Sequence, residues 1–448
     1  MRLQKSKFHF VGVGGIGMCG LAELLKNMGA QVSGSDLSEN ANTDRLKGLG
    51  VVVNKGHRKE NVGDVDVVVY SSAVSMENPE MQEALARRIP IIPRAEALAE
   101  IMHLKRGVAV AGTHGKTTTT SMSAAIFLEA GVKPTIVVGG RLDLIQSTAL
   151  LGAGEWMVVE ADESDGSFSK LSPEIAIITN IDSDHLDYYK SFENLKAAFL
   201  NFALKIPFYG SVIVCGDDPS IREIFQRFPK PVFTYGFESH NDFTLRGSGG
   251  KYELWEGERK CGDFEVHIPG KHNALNAAAS VIAGLRAGFS FETCRQGLKK
   301  FSGVDRRFQF KGEVGGIKVY DDYGHHPTEV RAALQGFREK YPDRRLVVYF
   351  QPHRYSRTQI CWHEFTTCFS QCDELVISDI YAAGEAPIDG ITSERLVTEI
   401  KHPSVHYFKK SDHLTQDIRA LLREGDVFVT LGAGDGWKIG MELISKRS

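Results

Sequence analysis

An α/β chain in three successive blocks, each with a mostly parallel sheet, is predicted from three observations. Short apolar runs rich in Val and Ile end again and again in polar clusters, as strands do at the ligand-binding edge of a parallel sheet. Helix-like stretches separate these runs. Two of the runs break into glycine turns that lead straight into helices. A chain of 448 residues has room for two to four such units.

The first block spans residues 1–106. Phe8-His9-Phe10-Val11 reads as a strand running into Gly12-Val13-Gly14-Gly15-Ile16-Gly17. A helix near Gly20 to Asn27 follows, then a second strand, Gln31 to Asp36. This βαβ start predicts a Rossmann-like unit. On spacing alone it reads as a dinucleotide site, with Asp36 on a ribose. The same turn binds any pyrophosphate, a UDP-sugar included, and a glycine turn can also simply close a βα unit. Asp66 to Ser71-Ser72 is a further strand ending in hydroxyls, Pro90 to Arg94 is extended, and Ala95 to His103 is helical.

The second block spans residues 107–310. Val108 to Ala111 is a buried strand, broken by Gly112-Thr113-His114-Gly115 and followed by Lys116-Thr117-Thr118 at the head of a helix. Strand, glycine turn, Lys-Thr and helix form the context of a phosphate-binding loop, so a P-loop ATPase-like unit is expected. Glycines bring backbone N–H groups close to an anion, and the helix N-terminus adds positive potential. Lys116 can reach a β/γ-phosphate, and the Thr117 hydroxyl can ligate Mg²⁺. The loop is shorter than the common form, whose first glycine would fall on Val110. Glu155 to Glu160 and Ile175 to Ile181 are strands ending in the clusters Ala161 to Asp165 and Asp182 to Asp187. Glu160 as a Mg²⁺ ligand with His185 beside it suits a triphosphate, although any one such residue is as often an exposed loop residue. Phe233 to Ile268 alternates and suggests antiparallel strands. Pro269 to Ala279 enters a helix, where Asn273 or Asn276 reads as an N-cap or a contact.

The third block spans residues 311–448 and is expected to be Rossmann-like again. Ile317 to Tyr320 ends in Asp321-Asp322-Tyr323-Gly324-His325-His326, and Leu346 to Phe350 ends in Gln351-Pro352-His353-Arg354-Tyr355-Ser356-Arg357. Leu375 to Ser378 and Asp426 to Leu431 are two more strands. Paired histidines and arginines at neighbouring strand ends can hold a carboxylate, since Arg offers a planar fork; exposed surface charge is the alternative.

A net charge of −3 and the lack of basic clusters with interleaved aromatics give no field for nucleic acid. No apolar run is long enough to cross a bilayer, and nothing near the start resembles a signal peptide, so a cytoplasmic protein is expected. Seven scattered cysteines fit reduced thiols. Cys361, His363, Cys368 and Cys372 have the residue types of a zinc set, but Cys368 and Cys372 share a helical face with Phe365 and Phe369 nearby, which favours core.

In that order, the markers Gly12–Met18, Gly112–Thr118, Glu160–Asp165, Thr179-Asn180 to Asp187, His272–Ala277, Asp322–Glu329 and Pro352–Arg357 resemble those of the Mur ligases over nearly the whole chain. The resemblance implies a ligase of peptidoglycan precursor synthesis that joins L-alanine to UDP-N-acetylmuramate at the expense of ATP, with Mg²⁺. It implies that Gly14, Gly15, Ile16, Gly17, Asp36, Ser71 and Ser72 hold the UDP part. Gly112, Thr113, His114, Gly115, Lys116, Thr117 and Thr118 would hold ATP, with Asn273 on the adenine and Asp322 near the nucleotide. Thr117, Glu160 and His185 would serve the metal, and His185 alternatively the acyl centre. Tyr323, His325, Arg354 and Arg357 would position alanine and the developing negative charge, with His185 or His325 as the base. The expected state is a monomer or weak homodimer. Sibling ligases for later residues carry a carbamoylated lysine where this chain has Phe199; the branch adding L-alanine resembles this chain there. Competing readings are a Mur-type ligase that attaches a whole tripeptide, an NAD(P)-dependent dehydrogenase, and an ATP-switched binding protein.

Overall fold

The computed structural model describes residues 5–71, 73–145 and 147–445. Three sheets, mostly parallel, carry the fold. The first contains β1 (Lys7–Val11), β2 (Gln31–Asp36), β3 (Val52–Lys55), β4 (Val67–Tyr70) and β5 (Ile91–Pro93), in the order β3-β2-β1-β4-β5. All four of its pairings are parallel. Its helices are α1 (Ile16–Asn27), α2 (Ala41–Gly48), α3 (Pro79–Ala86) and α4 (Arg94–Met102). Helix α1 starts at Ile16, before the expected Gly20, because the turn itself supplies its N-cap, Gly15. Asn40 caps α2 with a reciprocal bond to Thr43.

The second sheet has ten strands: β6 (Arg106–Ala111), β7 (Thr135–Leu142), β8 (Ser147–Leu150), β9 (Trp156–Glu160), β10 (Ile175–Ile178), β11 (Ser211–Cys215), β12 (Val232–Gly236), β13 (Phe243–Ser248), β14 (Lys251–Glu256) and β15 (Arg259–Glu265). Their order is β15-β14-β13-β12-β11-β10-β6-β9-β7-β8. Around them run α5 (Lys116–Glu129), α6 (Leu186–Tyr189), α7 (Phe192–Ala203), α8 (Pro219–Phe225), α9 (Lys271–Arg286) and α10 (Phe291–Lys300). Central β6 pairs in parallel with β9 and β10, and its residues from Val108 to Ala111 have no exposed surface. The stretch expected to be antiparallel departs from that reading only at its start; β13, β14 and β15 follow as sheet neighbours joined by two-residue connections, which only antiparallel strands allow. Strand β12 extends the parallel series from β11, and β13 pairs in parallel with β12. Half-buried strands at a sheet edge alternate whichever way they run, so alternation does not report direction.

The third sheet, in the order β16-β17-β21-β18-β19-β20, contains β16 (Gln309–Val314), β17 (Ile317–Asp322), β18 (Leu346–Phe350), β19 (Glu374–Ile377), β20 (Val405–Tyr407) and β21 (Val427–Leu431). Among the described residues only β16 runs antiparallel to its neighbour in this sheet; the other pairings are parallel. Its helices are α11 (Pro327–Lys340), α12 (Tyr355–Ile360), α13 (Trp362–Phe365), α14 (Ser393–Glu399), α15 (Leu414–Leu421) and α16 (Trp437–Ser445). Alternate residues of β18 face opposite cores: Leu346, Val348 and Phe350 join one cluster, Val347 and Tyr349 the other. A strand buried on both faces reads as an unbroken apolar run. Cys361, Cys368 and Cys372 lie buried in the first of these clusters with Phe365 and Phe369. The expected long helix there is only α13 followed by turns.

The chain divides into two compact units. One runs to Arg246 and includes Tyr252–Glu265 and Leu275–Ser302; the other comprises Gly247–Lys251, Val266–Ala274 and the chain from Gly303 on. No helix among the described residues is long and apolar enough to cross a membrane.

Candidate active site

In the first unit the glycine turn is built from below. The Ser35 carbonyl accepts from Gly12 N–H and Val13 N–H at 2.9 and 3.0 Å. The Ser35 hydroxyl donates to the buried Glu80 carboxylate at 2.5 Å, and His9 Nε2 lies 3.2 Å from the same oxygen. Asp36, expected on a ribose, accepts instead from Gly14 N–H at 2.8 Å and Ser38 N–H at 3.1 Å. A side chain at Gly14 would put its Cβ 2.8 Å from that carboxylate oxygen. Asp36 is therefore a brace of the turn. Gly15 and Ile16 stay exposed above it, and no side chain caps the α1 N-terminus, which suits an anion. Ser71 lies against the turn, its Cβ 3.3 Å from where a Cβ on Gly12 would stand. Ser72 lies outside the described residues.

The second loop is pinned to the end of β10. His114 N–H donates to Asn180 Oδ1 at 2.8 Å, and the His114 carbonyl accepts from Thr179 Oγ1 at 2.6 Å and Asn180 Nδ2 at 3.0 Å. Thr113 Oγ1 accepts from Asp182 N–H at 2.9 Å. Gly112 and Gly115 both have positive φ, +134° and +80°. A Cβ on Gly112 would stand 2.0 Å from Thr179 Oγ1, and one on Gly115 2.7 Å from Asn276 Oδ1. Only glycine lets this cradle close. Helix α5 then begins at Lys116 with no side-chain cap, so its first N–H groups have no intrahelical acceptor. Cradle, uncapped helix and lysine fit a polyphosphate.

Lys116 Nζ donates to the carbonyls of Gly112 and Thr113 at 2.8 and 3.1 Å and lies 2.7 Å from Glu163 Oε2. Burial opposes the Lys116 charge, but Glu163 and Asp162 outweigh it and hold its pKa above the ordinary lysine value. Burial pushes the Glu163 carboxyl up to about 7 despite Lys116. Thr117 Oγ1 donates to Glu160 Oε1 at 3.0 Å, and Gly139 N–H to Glu160 Oε2 at 2.8 Å. Burial raises the Glu160 pKa, against Lys116 and the Gly139 N–H. A hydroxyl and several carboxylates facing one lysine form a hard-oxygen set in acidic excess, which fits Mg²⁺. His185, expected beside Glu160, stands at Glu163 instead: its Nε2 is 3.6 Å from Glu163 Oε1 and from Asp184 Oδ2.

A cavity of about 260 Å³ is lined by Gly15, Gly17, Ser71 and Arg94 together with Glu160 and Asp162, so the glycine turn and the acid that holds Thr117 share one opening. Sequence reasoning placed Glu163 and Asn180 inside its marker clusters without a role for either, and gave Arg94 only as the end of an extended run, because no period signals which polar residue of a loop turns inward.

The second unit gathers the expected third-block residues. The Tyr323 ring meets His325 edge-on at 5.4 Å, and the guanidiniums of Arg306 and Arg307 lie 5.0 and 5.1 Å from its centroid. His325 stands 5.7 Å from His353, which stacks on Tyr381 at 5.5 Å. Arg357 Nη1 approaches His353 Nδ1 at 3.3 Å. Arg354, at φ +68°, directs Nη1 to 4.0 Å from Glu385, which also takes both the Ser356 N–H and hydroxyl. Burial, then Arg357 and Arg354, pushes the His353 pKa down to about 4. Two arginines around a neutral imidazole make an anion-binding corner. His353 stands inside the Pro352–Arg357 marker, which gave it no role of its own; Tyr381 is an addition that its isolated position in the sequence did not reveal. Asp322 accepts from Phe308 N–H at 2.7 Å and Gly324 N–H at 2.8 Å, and burial raises it to about 6. Asn273 is not an N-cap: α9 begins at Lys271, and Asn273 Nδ2 reaches back to the Pro269 carbonyl at 2.8 Å.

Three family models match the chain in series: the Mur ligase family catalytic domain at residues 7–106, the Mur ligase middle domain at 110–284, and the Mur ligase glutamate ligase domain at 306–434. A UDP-N-acetylmuramate–L-alanine ligase of Bdellovibrio bacteriovorus is 66% identical over the full length of both chains. One from Geobacter sulfurreducens is 50% identical, over 98% of this chain and 97% of its own. The crystal structure of UDP-N-acetylmuramate-alanine ligase from Thermotoga maritima superposes with a TM-score of 0.81 at 29% identity, covering 98% of this chain and 99% of that one. With all three modules matched in order and this identity over its whole length, the chain belongs to the Mur ligase family.

Proposed function

We propose that this protein forms an amide bond between L-alanine and the lactyl carboxylate of UDP-N-acetylmuramate, converting ATP to ADP and phosphate, in the cytoplasm. The observation that carries the reading is the cavity between the glycine turn and the Thr117–Glu160 pair. Its lining takes in the glycine turn and Glu160, which accepts from Thr117 at the head of the phosphate-binding loop. The extent of the relatives' likeness supports L-alanine as the nucleophile. We keep the division into domains at residues 106/107 and 310/311.

A carboxylate does not acylate an amine at neutral pH, because oxide is a poor leaving group. Phosphorylation of the lactyl carboxylate by ATP gives an acyl phosphate, and the alanine amine then displaces phosphate through a tetrahedral oxyanion. The α5 N-terminus and Lys116 bind the phosphates, Lys116 exchanging its loop carbonyls for phosphate oxygens. Glu163 keeps the ammonium aimed while it moves. Thr117 and Glu160 would hold Mg²⁺, which when bound screens the charge of the transferred group. Arg354 and Arg357 hold the alanine carboxylate. For the amine proton we choose His325. Its Nδ1–H donates to the Tyr323 carbonyl at 3.1 Å, which fixes Nε2 as the basic nitrogen.

The test is phosphate release across a panel of amino acids and the stem tripeptide, each with and without the sugar nucleotide. Release that requires both UDP-N-acetylmuramate and L-alanine is expected. Release with the tripeptide in preference to L-alanine would assign the protein to peptide recycling, and NADH-dependent turnover would make it a dehydrogenase.

A further inference from the structure

Beneath the glycine turn lies a buried acid that is not part of the cavity lining. Glu80 stands in the first turn of α3, where the Asn78 cap accepts its backbone N–H at 2.9 Å. Its side chain has no exposed surface. No described lysine or arginine side chain pairs with it; its ion-pair partners are two imidazoles, His9 Nε2 at 3.2 Å and His57 Nδ1 at 3.7 Å from Oε2. A carboxylate is costly to bury, and apolar groups of the same shape often serve stability as well or better. Stability alone gives no reason to keep an acid there.

Its two oxygens serve the two halves of the turn. Oε2 accepts from the Ser35 hydroxyl at 2.5 Å, and the Ser35 carbonyl accepts from Gly12 and Val13 N–H at 2.9 and 3.0 Å. Oε1 accepts from Asn61 Nδ2 at 2.6 Å and from Arg58 N–H at 3.1 Å. The same Asn61 amide donates to the Gly56 carbonyl at 3.0 Å, and Gly56 N–H donates to the Asp36 carbonyl at 2.7 Å. The Asp36 side chain then accepts from Gly14 N–H at 2.8 Å. One route thus ends on Gly12 and Val13, the other on Gly14. The N–H groups that follow, at the uncapped start of α1, are those left for an anion, and the residues just before them set where they point. Burial opposes the Glu80 charge, but His9, Ser35 and Asn61 hold the carboxyl below the ordinary glutamate value, so both oxygens accept. An amide in its place would turn a donor onto a donor at one end.

We propose that Glu80 is a positioning residue for the sugar nucleotide, fixing through Ser35 on one side and Asn61 on the other the N–H groups that receive its pyrophosphate. The identity of that ligand rests on the functional reading above. Glu80 touches no substrate and takes no part in the chemistry. The phosphate-binding loop ahead of α5 is braced separately, by Thr179 and Asn180. Damage to the Glu80 routes should therefore reach one ligand and spare the other.

The experiment measures calorimetric binding of UDP-N-acetylmuramate and of a non-hydrolysable ATP analogue with Mg²⁺ to the wild type, Glu80→Gln, Ser35→Ala and Asn61→Leu, together with steady-state kinetics and thermal unfolding. Glu80→Gln should weaken UDP-N-acetylmuramate by about 10-fold or more, the scale of losing hydrogen bonds to a buried charge. The ATP analogue should bind as to the wild type, which also shows that the unit is folded. The KM for the sugar nucleotide should rise while kcat at saturation is retained, the pattern of lost binding rather than lost chemistry. Ser35→Ala and Asn61→Leu each cut one route, and each should give a smaller loss of the same kind. A role confined to stability would lower the unfolding temperature and leave the Kd of UDP-N-acetylmuramate unchanged, and that result would overturn the proposal. Equal loss of both ligands in all three variants would overturn it too, since the acid would then hold up the whole unit rather than the turn. Wild-type protein that fails to turn over UDP-N-acetylmuramate with L-alanine would overturn the functional reading itself. Normal wild-type turnover with unchanged sugar-nucleotide affinity in the variants would sink only the role of Glu80.

Discussion

The Lys116 ammonium lies 2.7 Å from Glu163 Oε2, and the Glu163 side chain has no exposed surface. The phosphate-binding lysine is thus held by its own loop and by a buried acid. Lys116→Ala should lower turnover by at least about 100-fold, the scale of losing one charge-stabilising donor in such a site. Glu163→Gln should act differently. Burial raises the folded-state pKa of Glu163 to about 7 from an ordinary 4.5, so the folded state holds this proton more tightly than the unfolded one. The wild type should therefore lose stability relative to Glu163→Gln as pH rises from about 4.5 to 7, and the gap should be flat above that. Chemical denaturation of both proteins across that range checks it. A constant gap would show that Glu163 is ionised throughout.

Gly112 and Thr179 form a second close pair, with only 2.0 Å between a Cβ on Gly112 and the threonine hydroxyl. Gly112→Ala should cost stability by about 1–3 kcal/mol from backbone strain alone and should abolish saturation with ATP. Thr179→Val keeps the shape of the residue but removes the bond from its hydroxyl to the His114 carbonyl. It should raise the KM for ATP several-fold with little change in kcat, because the loop is loosened while Lys116 and Thr117 remain. Steady-state kinetics on both variants decides. A Thr179→Val variant with normal KM would remove the brace assigned to β10.

What the chain disclosed in advance follows from which constraints are local. The cradle around Gly112 and Gly115 was legible because a turn with positive φ, a lysine and a helix start occupy consecutive positions. The alternating cores of the third sheet were legible as the unbroken run Leu346 to Phe350. Asp36 was read as a ribose ligand because its spacing from the turn is the same whether it faces a ligand or the Gly14 N–H. Arg94, Glu163 and His353 are brought to their sites by β5, the turn after β9 and the end of β18. Glu163 and His353 stand inside the marked clusters, yet no period marks the role of any of the three.

The Arg357–His353 contact carries a pH prediction. His353 is held neutral, with its pKa pushed down to about 4 by burial and the two arginines, while an unfolded histidine titrates near 6.5. The unfolded state then binds more protons as pH falls from about 6.5 to 4, and stability is lost across that window by up to roughly 3 kcal/mol at 1.36 kcal/mol per unit. His353→Phe should flatten that part of the acid-unfolding profile. Arg354→Ala tests the same corner by kinetics: it should chiefly raise the KM for L-alanine. A change confined to affinity for the sugar nucleotide would remove Arg354 from the alanine site.

Phe199 supplies the last prediction. The resemblance sets Phe199 where sibling ligases are expected to carry a carbamoylated lysine, so a lysine here could be thought to restore a second metal ligand. The surroundings argue otherwise. Phe199 lies in the interior of α7 with no exposed surface, and its ring meets Phe168 edge-on at 5.2 Å, while Phe202 stacks on Phe168 at 5.2 Å. An ammonium placed among these rings would lack a partner, and its burial should cost at least about 3 kcal/mol. Phe199→Leu, which keeps an apolar side chain of smaller volume, should cost less, on the order of 1–2 kcal/mol. Thermal unfolding of the two variants, with bicarbonate and Mg²⁺ present, separates the cases. A Phe199→Lys protein as stable as Phe199→Leu, and further stabilised by bicarbonate, would mean that this position opens toward the metal-binding acids. The expected result, a large loss that neither additive repairs, would mean that α7 in this chain is committed to its aromatic core and that Thr117 and Glu160 must hold Mg²⁺ without help from that helix.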